Sequence, residues 1–137
     1  MKTKLTVYTS FIEKNNIERI KELNLLPIFI VRSIGKIEEI RKWSGTPLHF
    51  KELSPSKELF WDWRDGRISD EIFEKRFIIE LAFSGLHDAI SRMSELVKTC
   101  GANGVVLLGI GDNTLHRSIV ADLLWRTGLL EEEPIEL

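Results

Sequence analysis

Two short, uninterrupted apolar runs constrain this chain more than anything else in it: Pro27-Ile28-Phe29-Ile30-Val31 and Val105-Val106-Leu107-Leu108. A strand with one wet face alternates polar and apolar residues; a run that is apolar and branched throughout has both faces covered. Strands of that kind sit in parallel sheets flanked by helices. The rest of the chain supplies those helices. Ile17, Ile20 and Leu23 predict one over residues 13–24, and Ile37, Ile40 and Arg41 a short one. Ser54-Pro55 starts a helix carrying Leu59, Phe60 and Trp63 that stops at Asp65-Gly66, with Ser54 as its cap. Ser69 caps the next, whose buried stripe is Phe73, Phe77 and Leu81. Residues 87–99 form another, with Ile90, Met93 and Val97 on one side, and Ile119, Val120, Leu123 and Leu124 mark the last. Leu5 to Ser10 alternates and predicts a first strand. Residues 48–53 fit either a short strand or an extended loop; the acidic tail is solvated, with Ile135 placed to close an edge. The expectation is one α/β domain over residues 1–137: a small, mostly parallel, three- to five-stranded sheet with helices on both faces.

A chain of 137 residues buries about two thirds of its unfolded surface and needs no staples. With 19 basic and 21 acidic residues it presents no strong field to nucleic acid or to an anionic membrane. A single cysteine, Cys100, excludes internal disulfides and multi-cysteine metal sites, and is read as a small, partly buried thiol at a helix end. His49, His87 and His116 stand at no metal-ligand spacing, so no metal site is expected. The N-terminus lacks a signal-peptide run, and Leu25 to Val31 is too short to cross a bilayer, which leads to the expectation of a cytoplasmic protein. Glutamine is absent while Ile, Glu and Lys are plentiful, a thermophilic bias.

In open parallel sheets ligands bind outside the carboxyl ends of the strands. Two segments fall there: Val31-Arg32-Ser33, and the loop Gly109 to Thr114 running into Leu115-His116-Arg117. The glycines permit a close turn, and Asp112, Asn113 or Thr114 can cap the following helix, leaving amides after Gly111 for an anion. Arg32 and Arg117 are the candidate anion holders, with His116 as a candidate proton-transfer group. The same residues fit an ordinary strand-to-helix turn in which Arg117 pairs with Asp112 or Glu131. No Walker loop, dinucleotide fingerprint or Gly-x-Ser-x-Gly elbow occurs. Trp61, Trp63, Arg64, Arg67 and Arg76 offer an aromatic, basic surface, and with it the alternative of a non-catalytic protein- or nucleic-acid-interaction module, marked by an exposed patch at a homodimer contact. The favoured expectation is binding of a phosphate- or nucleotide-type anion, with an enzymatic role left open and no cofactor indicated.

The chain resembles the domain-of-unknown-function 488 family. The resemblance rests on Val31-Arg32-Ser33 after an early strand, on Leu53-Ser54-Pro55-Ser56-Lys57-Glu58-Leu59, on Ile72-Phe73-Glu74-Lys75-Arg76-Phe77, and on Val106-Leu107-Leu108 with Leu115-His116-Arg117. It implies an α/β fold and carries over Arg32, His116 and Arg117, with Ser54 and Ser56 as supports. Leu115 and Gly109 stand where the family often has cysteine, and Phe77 where tyrosine is common, so cysteine chemistry does not carry over.

Overall fold

A computed structural model describes residues 5–14, 16–32 and 48–137. Among these residues, five strands form one sheet: β1 (Val7–Phe11), β2 (Leu25–Phe29), β3 (Leu48–His49), β4 (Gly104–Gly109) and β5 (Ile135–Glu136). They lie in the order β3-β2-β4-β1-β5, and each neighbouring pair is parallel. The expected sheet is therefore present at its upper size. Residues 48–53 resolve as the two-residue β3 followed by a 3-10 turn, and Ile135 does close an edge.

The two apolar runs are the centre of that sheet. Every residue of β4 is buried, and its side chains alternate between two cores. Val105 and Leu107, with Ile28 and Ile30, meet α2 (Lys57–Arg64), α3 (Asp70–Ser84), α4 (Leu86–Cys100) and α5 (Leu115–Arg126) through Leu59, Phe73, Phe77, Met93, Val120 and Leu124. Val106 and Leu108, with Phe29 and Val31, meet Ile20 of α1 (Ile17–Glu22). Topology explains this division. The step from β1 to β2 crosses the sheet one way, whereas β3 to β4 and β4 to β5 cross it the other way. Right-handed crossovers in opposite directions place their helices on opposite faces.

Local chemistry sets the element ends. Ser69 accepts from the Ile72 amide and caps α3, as its position before Asp70 and Glu71 leads one to expect. The cap of α2 is Ser56 rather than Ser54: its Oγ accepts from Leu59 N, while Ser54 Oγ donates to Lys51 O at 2.5 Å. A 3-10 turn over Lys51–Leu53 draws Ser54 away and moves the start of the helix on by two residues. At the amino end of the sheet, Asn24 adopts φ 54° and donates to Gly101 O, while Asn103 donates to Leu23 O. Those two amides tie the turn before β2 to the turn before β4. Cys100 is exposed, contrary to the partly buried thiol expected, because it lies on the outer side of the last turn of α4. Helix α3 is apolar on two sides: opposite its core stripe, Ile72, Ile79 and Phe83 face solvent, Phe83 at 88% exposure. The short helix expected around Ile37, Ile40 and Arg41 lies outside the described residues.

Candidate functional site

The chain leaving β2 runs toward β3 and the chain leaving β4 toward β5, in opposite directions across the sheet. Two such neighbours cannot both cover the gap between their carboxyl ends, so a crevice opens there. A cavity of about 840 Å³ occupies this position. Val31 and Arg32 come to it from β2, and Ile110, Asn113 and His116 from the loop and helix after β4. The remaining wall is Pro55 with Lys57, Phe60, Trp61, Trp63 and Arg64 of α2. Lys57, Trp61 and Arg64 are spaced four and three residues apart, so they share one helical stripe.

The structure divides the aromatic and basic cluster seen in sequence. Trp63 stacks on Phe73 with ring centroids 4.1 Å apart and donates to Asp70 Oδ1, which fixes it in the fold. Trp61 is 42% exposed, with the Arg64 guanidinium carbon 5.3 Å from its ring centroid. Arg67 pairs with Asp62 and Asp65, and Arg76 with Asp62. Lys57 was missed in sequence, although its spacing from Trp61 and Arg64 was there to be read.

Arg117, expected as an anion holder, directs its hydrogen bonds into the protein. Only 2% exposed, it is held from within. Its Nε lies 3.0 and 3.1 Å from the Glu136 carboxylate oxygens, and Nη2 donates to Oε2 at 2.9 Å. Nη1 donates to the carbonyls of Gly111 and Asn113 at 3.2 and 3.1 Å, and the group lies over the ring of Phe11. A buried guanidinium must find acceptors for its N–H groups, and the edge strand β5 delivers one. The partner is Glu136, neither Asp112 nor Glu131. Burial opposes ionisation of Glu136, but hydrogen bonds from Arg117 and Thr9, with the charges of Arg117 and Lys14, outweigh it and hold the carboxyl below its ordinary value. The burial of Arg117 was legible: with Val120, Ala121 and Leu124 it completes the inward stripe of α5.

The loop after β4 is likewise held by the protein. Gly111 takes φ 78°, and its amide donates to Glu13 Oε2 at 2.9 Å, so that amide is engaged by an internal carboxylate. Thr114 occupies the N-cap position without a side-chain bond, and Asn113 Oδ1 accepts from Leu115 N at 2.9 Å instead. Asp112 is exposed. Ser56 serves the start of α2, donating through Oγ and its amide to the Glu80 carboxylate at 2.6 and 2.8 Å. Ser33 lies outside the described residues. Among the expected site residues, Arg32, Asn113 and His116 reach the cavity.

His116 Nε2 lies 3.1 Å from Leu53 O. A carbonyl can only accept, so Nε2 carries the proton and Nδ1 keeps its lone pair. Burial lowers its pKa to about 4, helped by the charge of Arg117 and opposed by the bond to Leu53. The ring packs against Phe77 at 5.3 Å between centroids. At neutral pH His116 is therefore uncharged, with Nδ1 as its acceptor.

Among the described residues no group of three His, Cys, Asp or Glu side chains converges to hold a metal, and no helix is long and apolar enough to cross a membrane. No curated protein and no solved structure matches the chain. Residues 15–128 match the family model described as the active DUF488-N3 subclade. That stretch spans β2, β4 and every helical wall of the cavity, so the chain belongs to the domain-of-unknown-function 488 family.

Proposed function

We propose that this domain binds a small phosphate-type anion in the crevice between the carboxyl ends of β2 and β4. The observation that carries the reading is the convergence of Arg32, Lys57 and Arg64 on one cavity at the place where the topology opens the sheet. Among the described residues that line it, the charged side chains are these three cations. The family model's own description, active, is in keeping with a working site. If the site turns a substrate over, His116 Nδ1 is the group to accept a proton or orient a hydroxyl, since its Nε2 is committed to Leu53.

The reading is tested by thermal unfolding and calorimetry with inorganic phosphate and sulfate. A ligand at a hundred times its Kd adds about 2.7 kcal/mol, which for a chain of this size raises Tm by roughly 5–15 °C. Arg32→Ala and Arg64→Ala should each weaken that shift while leaving the ligand-free Tm within about 1 °C, as both side chains are exposed. No shift with any anion at millimolar concentration overturns the proposal.

A further inference from the structure

The size and walls of the cavity say more about the occupant than its charge does. A space of about 840 Å³ lies within the range of roughly 300–1,000 Å³ that encloses a drug-sized molecule, and a lone phosphate would leave most of it empty. Its walls also differ in kind. Phe60, Trp61 and Ile110 are apolar or aromatic, whereas Arg32, Lys57 and Arg64 are cationic. Ile110 and Trp61 remain 49% and 42% exposed while lining it, which is a cost a fold does not need for its own packing. The contrast with Trp63 is direct: that indole has a stacking partner and a hydrogen bond within the protein, whereas Trp61 meets only the edge of Phe60 and the Arg64 guanidinium among the contacts described.

We infer that the occupant is a mononucleotide, its base lying against Trp61 and its phosphate held by Arg32, Lys57 and Arg64. The inference rests on the anion-binding reading above and names its substrate class. A planar π-face for a base and cations for a phosphate are what a nucleotide requires, and the two stand in one cavity. The polar edges of a base can meet His116, an acceptor at Nδ1, and Asn113, whose Oδ1 is taken by Leu115 so that its NH₂ is the group on offer. A formal charge of -2 gives the chain no field along which to follow a polynucleotide, which favours a free nucleotide over a strand.

The test is calorimetric titration of the purified protein with the four common nucleoside monophosphates, adenosine, inorganic phosphate and a short single-stranded oligonucleotide. At least one monophosphate should bind about ten- to a hundredfold more tightly than inorganic phosphate, the gain expected of one stacked base. Trp61→Ala should abolish that margin and leave the phosphate affinity unchanged, while Trp61→Phe keeps most of it. Equal affinity for nucleotide and phosphate, or no effect of Trp61→Ala, overturns the nucleotide inference and leaves anion binding standing. Binding of adenosine without phosphate, or of nothing, removes both. An oligonucleotide that binds more than tenfold tighter than any monophosphate, with a steep salt dependence, overturns the free nucleotide in favour of a strand.

Discussion

Arg117 and His116 are adjacent in sequence, and the fold uses them in opposite ways. Arg117 keeps its charge inside by gathering Glu136 and two loop carbonyls, so Arg117→Met should cost about 3–5 kcal/mol, measured by denaturant unfolding. Glu136→Gln should cost about 2–4 kcal/mol, because it leaves a guanidinium that is 2% exposed without its counter-charge, while the amide oxygen still accepts one of its hydrogen bonds. His116 instead gives up its charge. Its folded pKa of about 4 lies below the ordinary 6.5, so the unfolded chain takes up a proton first as pH falls. Stability should accordingly decline between pH 6.5 and 4, by up to about 3 kcal/mol from this one group. Glu136 works in the same direction at lower pH: its stabilising contribution is present above the ordinary carboxylate range and lost as pH falls through its lowered value. In His116→Gln the upper part of that decline should flatten by one proton; an unchanged slope between pH 6.5 and 4 would show that the ring is not kept neutral by the fold.

Elements were legible where a single periodicity decided them. The stripe Phe73, Phe77 and Leu81 fixed α3, and all three residues are buried; Phe77→Ala should cost about 3–5 kcal/mol. The cap at Ser69 followed from its place before two acidic residues, and Ser69→Ala should cost about 1 kcal/mol. The start of α2 was misplaced, since Ser54 and Ser56 are chemically equal candidates and only the 3-10 turn before them selects Ser56. Gly104 illustrates a requirement that no pattern announces. A Cβ there would lie 2.5 Å from the carbonyl oxygen of Thr6, which accepts from Val105 N at the start of the ladder between β1 and β4, so Gly104→Ala should cost about 2–3 kcal/mol or more. Gly111 has open space around it and asks only for its positive φ, so Gly111→Ala should cost about 1–2 kcal/mol. Chemical denaturation of the two variants side by side would separate steric need from conformational need.

At the scale of the whole molecule, two buried runs with helical segments between them led to a parallel sheet with helices on both faces, and both faces of those strands are covered. The place of the cavity followed from the same argument, since it opens at the carboxyl rim of the strands. The side chains that line it were only partly legible. Arg32, Asn113 and His116 were found because they follow the strands directly, whereas Lys57 and Trp61 come from a helix that arrives there through tertiary packing. The internal partner of Arg117 was not legible, because Glu136 sits on a two-residue edge strand distant from it in sequence. Nothing local to Arg117 points to it.

The central claim is one of location: an anion enters between the ends of β2 and β4 and meets the cationic stripe of α2. Chemical-shift mapping with inorganic phosphate and nucleoside monophosphates measures this most directly. The account predicts saturable shifts centred on Arg32, Lys57, Arg64, Ile110 and Asn113, with the amide of Gly111, held by Glu13, moving less. Shifts confined to other surface cations such as Arg19, Arg67 or Arg126, or none at these five residues, would contradict it.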